Sequence, residues 1–394
     1  MSARAGCVSG RFASPHVPAR IALLGVGNVG AALLRRIGER RSDGCGDPLS
    51  LVYVADSRHA ARLWRPSAVE ADCESAGLDP HPPRERAARL VEPLQPGPGE
   101  EVALAPSDPT QVARALADGG QQARRIVIDA TASDTVASHH ARWLGQGIDV
   151  VTACKLGQGT SLDRWRRIQR ARTEGGSGYG DSATVGAGLP LLRTIRALRD
   201  GGDRIHAIAG VLSGSLAWLF NHYDGLRPFS GFVRQARQAG FTEPDPREDL
   251  SGEDVRRKLL ILARTSGVEL ETGDVTVRSL VPDVLARLSA THVDAALPVL
   301  DGPLRTRFAE AWKRGERLRF IARLQNGRGR IGLESLGADD PLAGGSGTDN
   351  RVAIWSDRYP DQPLVIQGPG AGAGVTAAAL LDDALALARR LPGA

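Results

Sequence analysis

Lysine is almost absent from this chain. Of 50 basic residues among 394, three are lysines, Lys155, Lys258 and Lys313, and the other 47 are arginines. Arginine keeps its proton at any physiological pH, whereas its surroundings can bring a lysine into the titrating range, so proton transfer favours lysine. Composition alone therefore narrows the search for an acid–base ammonium to three positions. Cysteine is scarce too: Cys7, Cys45, Cys73 and Cys154 are widely spaced and form no C-x-x-C pair. That pattern suggests neither a zinc site nor a disulfide framework, and the expected compartment is the reducing cytoplasm. Aromatic residues make up 4%, and the net charge of +5 arises from arginines interspersed with acids rather than from a basic block. Nucleic-acid binding is unsupported by such a composition. No apolar run is long enough to cross a bilayer. The first 19 residues lack the apolar centre of a secretory signal and read as a disordered leader.

What is present is alternation. RIALLGVGNVGAALLRRI (20–37) reads as strand, glycine turn and helix, with Val29, Leu33, Leu34 and Ile37 at helical spacing. LVYVA (51–55), RIVIDAT (125–131) and IDVVTA (148–153) read as further strands, with a helix through HHARWLGQG before the last. Alternating strands and helices imply an α/β chain with a doubly wound parallel sheet, a Rossmann-type dinucleotide-binding domain over residues 20–156. The stretch 58–125, rich in proline, arginine and glycine, reads as a loop-rich elaboration without an assigned role. GGSGYGDS (175–182) marks the change to a second domain, placed at 157–370, with helices first and strands later near RLRFIARL, RIGLES, RVAIW and PLVIQG. This order suggests an α+β unit with its own mixed sheet. A helix within 371–391 closes the chain and is expected to pack back onto the first domain.

Gly25-Val26-Gly27-Asn28-Val29-Gly30 fits G-x-G-x-x-G between a strand and a helix. The first glycine permits the tight turn, the second lets backbone approach a pyrophosphate, and the third allows helix to pack on strand. Phosphate would meet the free amides of the helix N-terminus. Asp56 follows the second strand, where a carboxylate would bind the adenosine ribose, while Ser57, Arg58 and Arg62 are equally placed to accept a 2′-phosphate, so NAD and NADP both remain open. Lys155 follows IDVVTA at a carboxyl strand end, where such sheets place ligands. Its neighbour Cys154 beside an ammonium has the makings of an activated nucleophile, but adjacent residues on a strand point to opposite faces. Lys258 lies four residues after Asp254 in SGEDVRRKLLILARTSG, so both share one helix face; Ser251 is placed to cap that helix and Gly267 to end it. Before it, GFTEPDPREDLSG concentrates Glu243, Asp245, Glu248 and Asp249 in a proline-containing acidic loop suited to a substrate ammonium. Lys313, in EAWKRGERLRF, reads as a surface residue.

With these pieces in place the chain resembles the homoserine dehydrogenase family from Arg20 to its last helix. The stretches that carry the resemblance are ATVGAGLP (183–190), GDRIHAIAGVLSGSLAWLFN (202–221), AGFTEPDPREDLSGEDVRRKLLILAR (239–264), GTDNRVAIW and GPGAGAGVTA. The resemblance implies reversible NAD- or NADP-dependent reduction of L-aspartate 4-semialdehyde to L-homoserine by a homodimer built through the second domain. Carried over by position, Val26, Asn28, Val29, Thr131 and Gly370 contact the dinucleotide, with Lys155 between nicotinamide ribose and substrate. Gly240, Glu243, Asp249 and Asp254 form the substrate loop, and Lys258 donates the proton to the aldehyde oxygen. The family also binds a monovalent cation such as sodium through backbone carbonyls that map to Val185, Ala187 and Leu189; its side-chain ligand is usually glutamate, where this chain has Ser182 after Asp181. Cys154 likewise replaces a usual asparagine. With 19 residues before the first strand and an end just after the closing helix, neither an aspartokinase nor an ACT domain is expected, and hence no threonine feedback through an ACT domain. Two other readings of the same residues are a Rossmann reductase of a different amino-acid aldehyde or 2-oxo acid, and a nucleotide-sensing homologue without turnover. The retained Lys155, Asp254 and Lys258 weigh against a sensor.

Overall fold

The computed structural model describes residues 17–39, 48–62, 105–117 and 123–390. Most of the expected leader and the centre of the proline- and arginine-rich insertion lie outside the described residues, as do Cys7, Cys45 and Cys73.

The first sheet comprises β1 (Ala19–Leu24), β2 (Leu49–Ala55), β3 (His59–Arg62), β4 (Ala105–Pro106), β5 (Arg125–Asp129), β6 (Asp149–Thr152) and β7 (Tyr179–Gly180), in spatial order β4-β3-β2-β1-β5-β6-β7. β2, β1, β5, β6 and β7 run parallel, as the alternation predicts, while β3 and β4 add an antiparallel edge built from the ends of the insertion. The parallel strands are buried almost throughout because helices cover both faces. Ile21, Leu23, Ile126, Ile128 and Val151 face Leu33 and Leu34 of the helix Asn28–Glu39, together with Ala377, Leu380 and Ala384 of the closing helix Ala373–Ala388. Ala22, Leu24, Val127 and Val150 face Leu116, Trp143, Leu144 and Ile168 on the other side. Period-two alternation along each strand thus feeds two separate cores.

The helix Leu162–Glu174 and β7 still belong to this sheet, so the boundary expected at residue 156 falls before its last strand. The sequence hid this because β7 is only two residues long and sits inside a glycine-rich run that reads as a linker.

The second sheet is mixed, in the order β13-β12-β8-β10-β11-β9, from β8 (Ile205–Val211), β9 (Val275–Val277), β10 (Arg317–Gln325), β11 (Arg328–Leu336), β12 (Asp349–Ser356) and β13 (Leu364–Pro369). All its pairings are antiparallel except β11 with β9. Asn326 and Gly327 join β10 to β11 with φ of 52° and 69°. Positive φ at both central positions is what a two-residue turn between twisted strands requires, and Asn-Gly tolerates it best. One face carries the larger core, where Phe320, Ala322 and Leu324 of β10 meet the helices Gly214–His222 and Glu253–Thr265. Those two helices bring the chemistry of this domain to the first sheet.

Candidate active site

The carboxyl ends of β1, β5 and β6 lie side by side, because Leu24 pairs with Asp129 and Asp129 with Thr152. The segments that follow therefore form one rim: the glycine turn after β1, Ala130 and Thr131 after β5, and Cys154 and Lys155 after β6. β1 sits between β2 and β5, so this rim is the point at which strand order reverses, where doubly wound sheets bind ligands.

Each glycine of the turn meets a distinct constraint. Gly25 has φ 90°, and a Cβ there would lie 2.9 Å from the Ala130 backbone. A Cβ on Gly30 would lie 1.9 Å from the Gly25 carbonyl oxygen. At Gly27 nothing lies within 4 Å, leaving the backbone open to a ligand just ahead of the helix that starts at Asn28. A cradle closed to side chains on two sides and open at its centre fits a pyrophosphate. Asp56 is less free than its position suggests: one carboxylate oxygen accepts from the backbone N–H groups of Arg58 (2.6 Å) and His59 (2.5 Å), closing the turn into β3. Ser57 and Arg58 are exposed beside it.

Thr131 is held by Asp129, whose Oδ1 accepts from both its backbone N–H (2.9 Å) and its hydroxyl (2.6 Å). The other oxygen of Asp129 pairs with His140 Nε2 at 3.0 Å, both side chains being fully buried, and His140 Nδ1 meets the Tyr179 hydroxyl at 2.9 Å. Thr152 also donates to Asp129 and accepts from the backbone N–H of Cys154. One buried carboxylate therefore fixes Thr131 and the start of the Lys155 loop together. Sequence reading missed Asp129 and His140; the only available signal was an acid ending an otherwise apolar strand.

Lys258 projects from the helix Glu253–Thr265. Its first turn is entered through Gly252, at φ 80°, rather than through a Ser251 cap; Ser251 donates instead to the Glu248 carbonyl and accepts from the Glu253 N–H. A left-handed residue turns the chain more sharply than a serine cap would, and the short helix Arg247–Leu250 ends directly against it. Lys258 is 9% exposed. Its Nζ donates to the Leu212 carbonyl at 2.7 Å and pairs with Asp254 Oδ2 at 2.8 Å. Asp254 Oδ1 lies 3.4 Å from Lys155 Nζ on the first domain. Burial tends to raise the Asp254 pKa, but Lys258 and then Lys155 outweigh it and hold the carboxyl well below the usual range. Two of the three lysines thus flank one ionised carboxylate across the domain seam. Lys313 is exposed, far along the chain at the end of the helix Asp301–Lys313.

The acidic loop reaches the same place. Asp249 accepts from the Ser215 hydroxyl (2.6 Å) and from the Glu243 backbone N–H (2.9 Å), and Ser215 in turn meets Ser213, which caps the helix Gly214–His222. Burial raises the Asp249 pKa, offset in part by those bonds. Glu243 and Gly240 are exposed, Gly240 with φ 73°. Asp245 is committed to Arg247. Gly370 is buried against Asn350, whose amide oxygen and nitrogen are themselves buried without a partner; neither residue type announces that contact in the sequence. Cys154 is buried, and burial first, then Asp129, pushes its thiol up to about 12, so it is no nucleophile at neutral pH. Cys154→Ala is expected to leave turnover within about threefold of the parent, as a small packing change should, measured as initial rates.

The loop expected to bind a monovalent cation follows Asp181, with φ of 75° at Gly186 and 51° at Ala187. Ser182 donates both its N–H and its hydroxyl to Asp383 (2.9 Å each), and the Leu189 carbonyl accepts from the Leu191 N–H. Asp181 is paired with Arg196 at 2.6 Å and accepts from Gln158, leaving one oxygen without a partner. With serine as the side-chain donor and the nearby carboxylate already neutralised by a guanidinium, these residues do not fit a sodium ion. Replacing sodium by a bulky organic cation at constant ionic strength is therefore expected to leave the Tm unchanged; a fall would reveal a bound cation.

The model of the homoserine dehydrogenase family matches residues 190–385, and that of its NAD-binding domain matches residues 25–179. The homoserine dehydrogenase of Emericella nidulans is 36% identical over 296 residues, covering 72% of this chain and 80% of that protein. The chain belongs to the homoserine dehydrogenase family. A chloroplastic bifunctional aspartokinase/homoserine dehydrogenase of Zea mays is 42% identical over 289 residues, 73% of this chain, but the match spans only 32% of that longer protein. Among solved structures, a Candida auris protein of unknown function superposes with a TM-score of 0.79 at 29% identity, covering 95% of this chain and 99% of the other. Family membership makes the first sheet an NAD(P)-binding domain. Among the described residues no helix is long and apolar enough to cross a membrane.

Proposed function

We propose that this chain catalyses the reversible NAD(P)-dependent interconversion of L-homoserine and L-aspartate 4-semialdehyde, a step towards threonine and methionine, as a cytoplasmic homodimer joined through its second domain. The observation that carries the reading is Asp254 bridging Lys155 and Lys258 at the seam between the cofactor rim and the acidic loop.

Lys258 Nζ has three N–H donors. Two are directed at Leu212 and Asp254, which leaves the third for a substrate oxygen. In the reducing direction the aldehyde oxygen gains negative charge as its carbon gains hydride, and the ammonium both stabilises that charge and delivers the proton, leaving an alcohol. Asp254 keeps the ammonium oriented and balances its charge. Lys155, across the same carboxylate, orients the substrate against the cofactor rim. Glu243, exposed beside the fixed Asp249, receives the substrate ammonium, with Gly240 providing the turn. The turn Gly25–Gly30 with Val26, Asn28 and Val29, together with Thr131 and Gly370, would hold the dinucleotide, which would supply or accept the hydride.

The test is nicotinamide absorbance with purified protein and homoserine, with NAD and NADP in turn. Reduction of either cofactor is expected. No reduction with either would overturn the proposal, and turnover of other amino-acid alcohols alone would assign the site to a different aldehyde.

A further inference from the structure

Lys155 and Lys258 belong to different domains, so the spacing of their ammonium groups across Asp254 must be set by something stiffer than the 3.4 Å contact itself. The loop that carries Lys155 is a closed turn: the Gly159 N–H donates to the Lys155 carbonyl (2.7 Å), and the Thr160 hydroxyl donates to the Leu156 carbonyl (2.9 Å). Arg264 lies six residues beyond Lys258 on the same helix and is 2% exposed. It donates to the carbonyls of Gln158 (2.5 Å) and Thr160 (2.7 Å) within that turn, and to the Leu270 carbonyl just past its own helix (2.8 and 3.2 Å). No carboxylate among the described residues forms an ion pair with it. Glu271 and Glu269 attract it from beyond ion-pair distance, but burial outweighs them and lowers its pKa to about 10, so the charge is only partly compensated; what the planar fork adds is geometric, since it can hold several carbonyls in fixed relation where a flexible ammonium cannot. Two further links join the same segments, Arg166 to Glu269 (2.6 Å) and the Leu162 N–H to Glu271 (2.9 Å), but both are exposed.

We infer that Arg264 is a positioning residue that locks the Lys155 turn to the Lys258 helix and so fixes the distance between the two lysines across Asp254. The inference rests on the proposed dehydrogenase reading, and activity of the parent protein on homoserine tests that reading first and separately. Given an active parent, Arg264→Met is expected to lower kcat roughly 100-fold, the scale of an ångström-sized misplacement. KM for homoserine should stay within about threefold, because the acidic loop is untouched. The decisive arm is a double-mutant cycle. Lys155→Met should cost a large factor in the parent but less than about fivefold in Arg264→Met, where Lys155 is already displaced. Arg264→Lys should recover part of the rate, and Arg166→Ala, which breaks the exposed link, should keep the parental rate.

A purely structural role predicts something different: a lower Tm and less folded protein, but an unchanged kcat per folded molecule and a full additional cost for Lys155→Met. That result would overturn the inference, as would a folded Arg264→Met with parental kcat. If Arg264→Met does not fold, the same cycle in Arg264→Lys decides between the two outcomes.

Discussion

Lys258→Ala is expected to lower kcat for homoserine oxidation by about 10²–10⁴, the usual worth of a positioned proton-transfer group, while KM changes little. The asymmetry follows from the geometry. Lys258 spends two donors on Leu212 and Asp254 and keeps only the third for the reacting oxygen, so its contribution grows when charge develops there and is small in the ground state. The substrate loop does not depend on it: Asp249 is held by Ser215 and the Glu243 N–H. Removal of the side chain also leaves the Leu212 carbonyl without this donor and Asp254 with Lys155 alone, so some loss of Tm should accompany the loss of rate. Steady-state rates against homoserine concentration, with Tm measured on the same preparation, separate the two. Full activity in the variant would sink the proton-transfer role but not the reaction. In Lys313→Ala, by contrast, the rate should be untouched, since that lysine stands exposed outside the site.

Scarcity of lysine and the local motifs led to Lys155 and Lys258, which the structure brings to the two sides of Asp254, because both signals are short-range. The glycine turn, the i, i+4 relation of Asp254 to Lys258 and the strand end before Lys155 are each contained within a few residues. The contact between Lys155 and Asp254 is not: it spans 99 positions and both domains, and the resemblance to a family placed both residues near the substrate without pairing them. Asp129 and Arg264 escaped notice for the same reason. An aspartate ending a strand or an arginine inside a helix is ordinary until its partners, His140 and Thr131 for one and Gln158 and Thr160 for the other, are brought in by the fold. The strands β3 and β7 were lost differently. Four and two residues respectively are too few for periodicity to register, and their pairing with β2 and β6 decides their conformation. At the cation loop the departure was legible in the sequence itself, since Val185, Ala187 and Leu189 match the family's positions while Ser182 stands where glutamate is usual.

Gly30→Ala should weaken cofactor binding by up to roughly 100-fold. A methyl group there would stand 1.9 Å from the Gly25 carbonyl oxygen, and the obstacle is backbone, which no side-chain rotation relieves. Relief requires the helix Asn28–Glu39 to withdraw from β1, yet Leu33 and Leu34 of that helix are packed into the core beneath the sheet. The other route is to move Gly25, which is pinned at φ 90° by its N–H bond to the Ala55 carbonyl and by Ala130 and Thr131 at its back. Overpacking of this kind costs about 1–3 kcal/mol or more, and at the upper end a distorted cradle weakens the dinucleotide by roughly 100-fold, since each 1.4 kcal/mol is a factor of ten. Gly27→Ala meets no neighbour within 4 Å in the free protein, so any loss there must come from the ligand itself. The pair of variants therefore separates two requirements that the fingerprint merges. Gly30→Ala should lower both Tm and cofactor affinity, whereas Gly27→Ala should keep the parental Tm and lose affinity alone. Thermal melts with and without NADP and NAD would read both, and a Gly30→Ala protein stabilised by cofactor as strongly as its parent would remove the steric account of the turn.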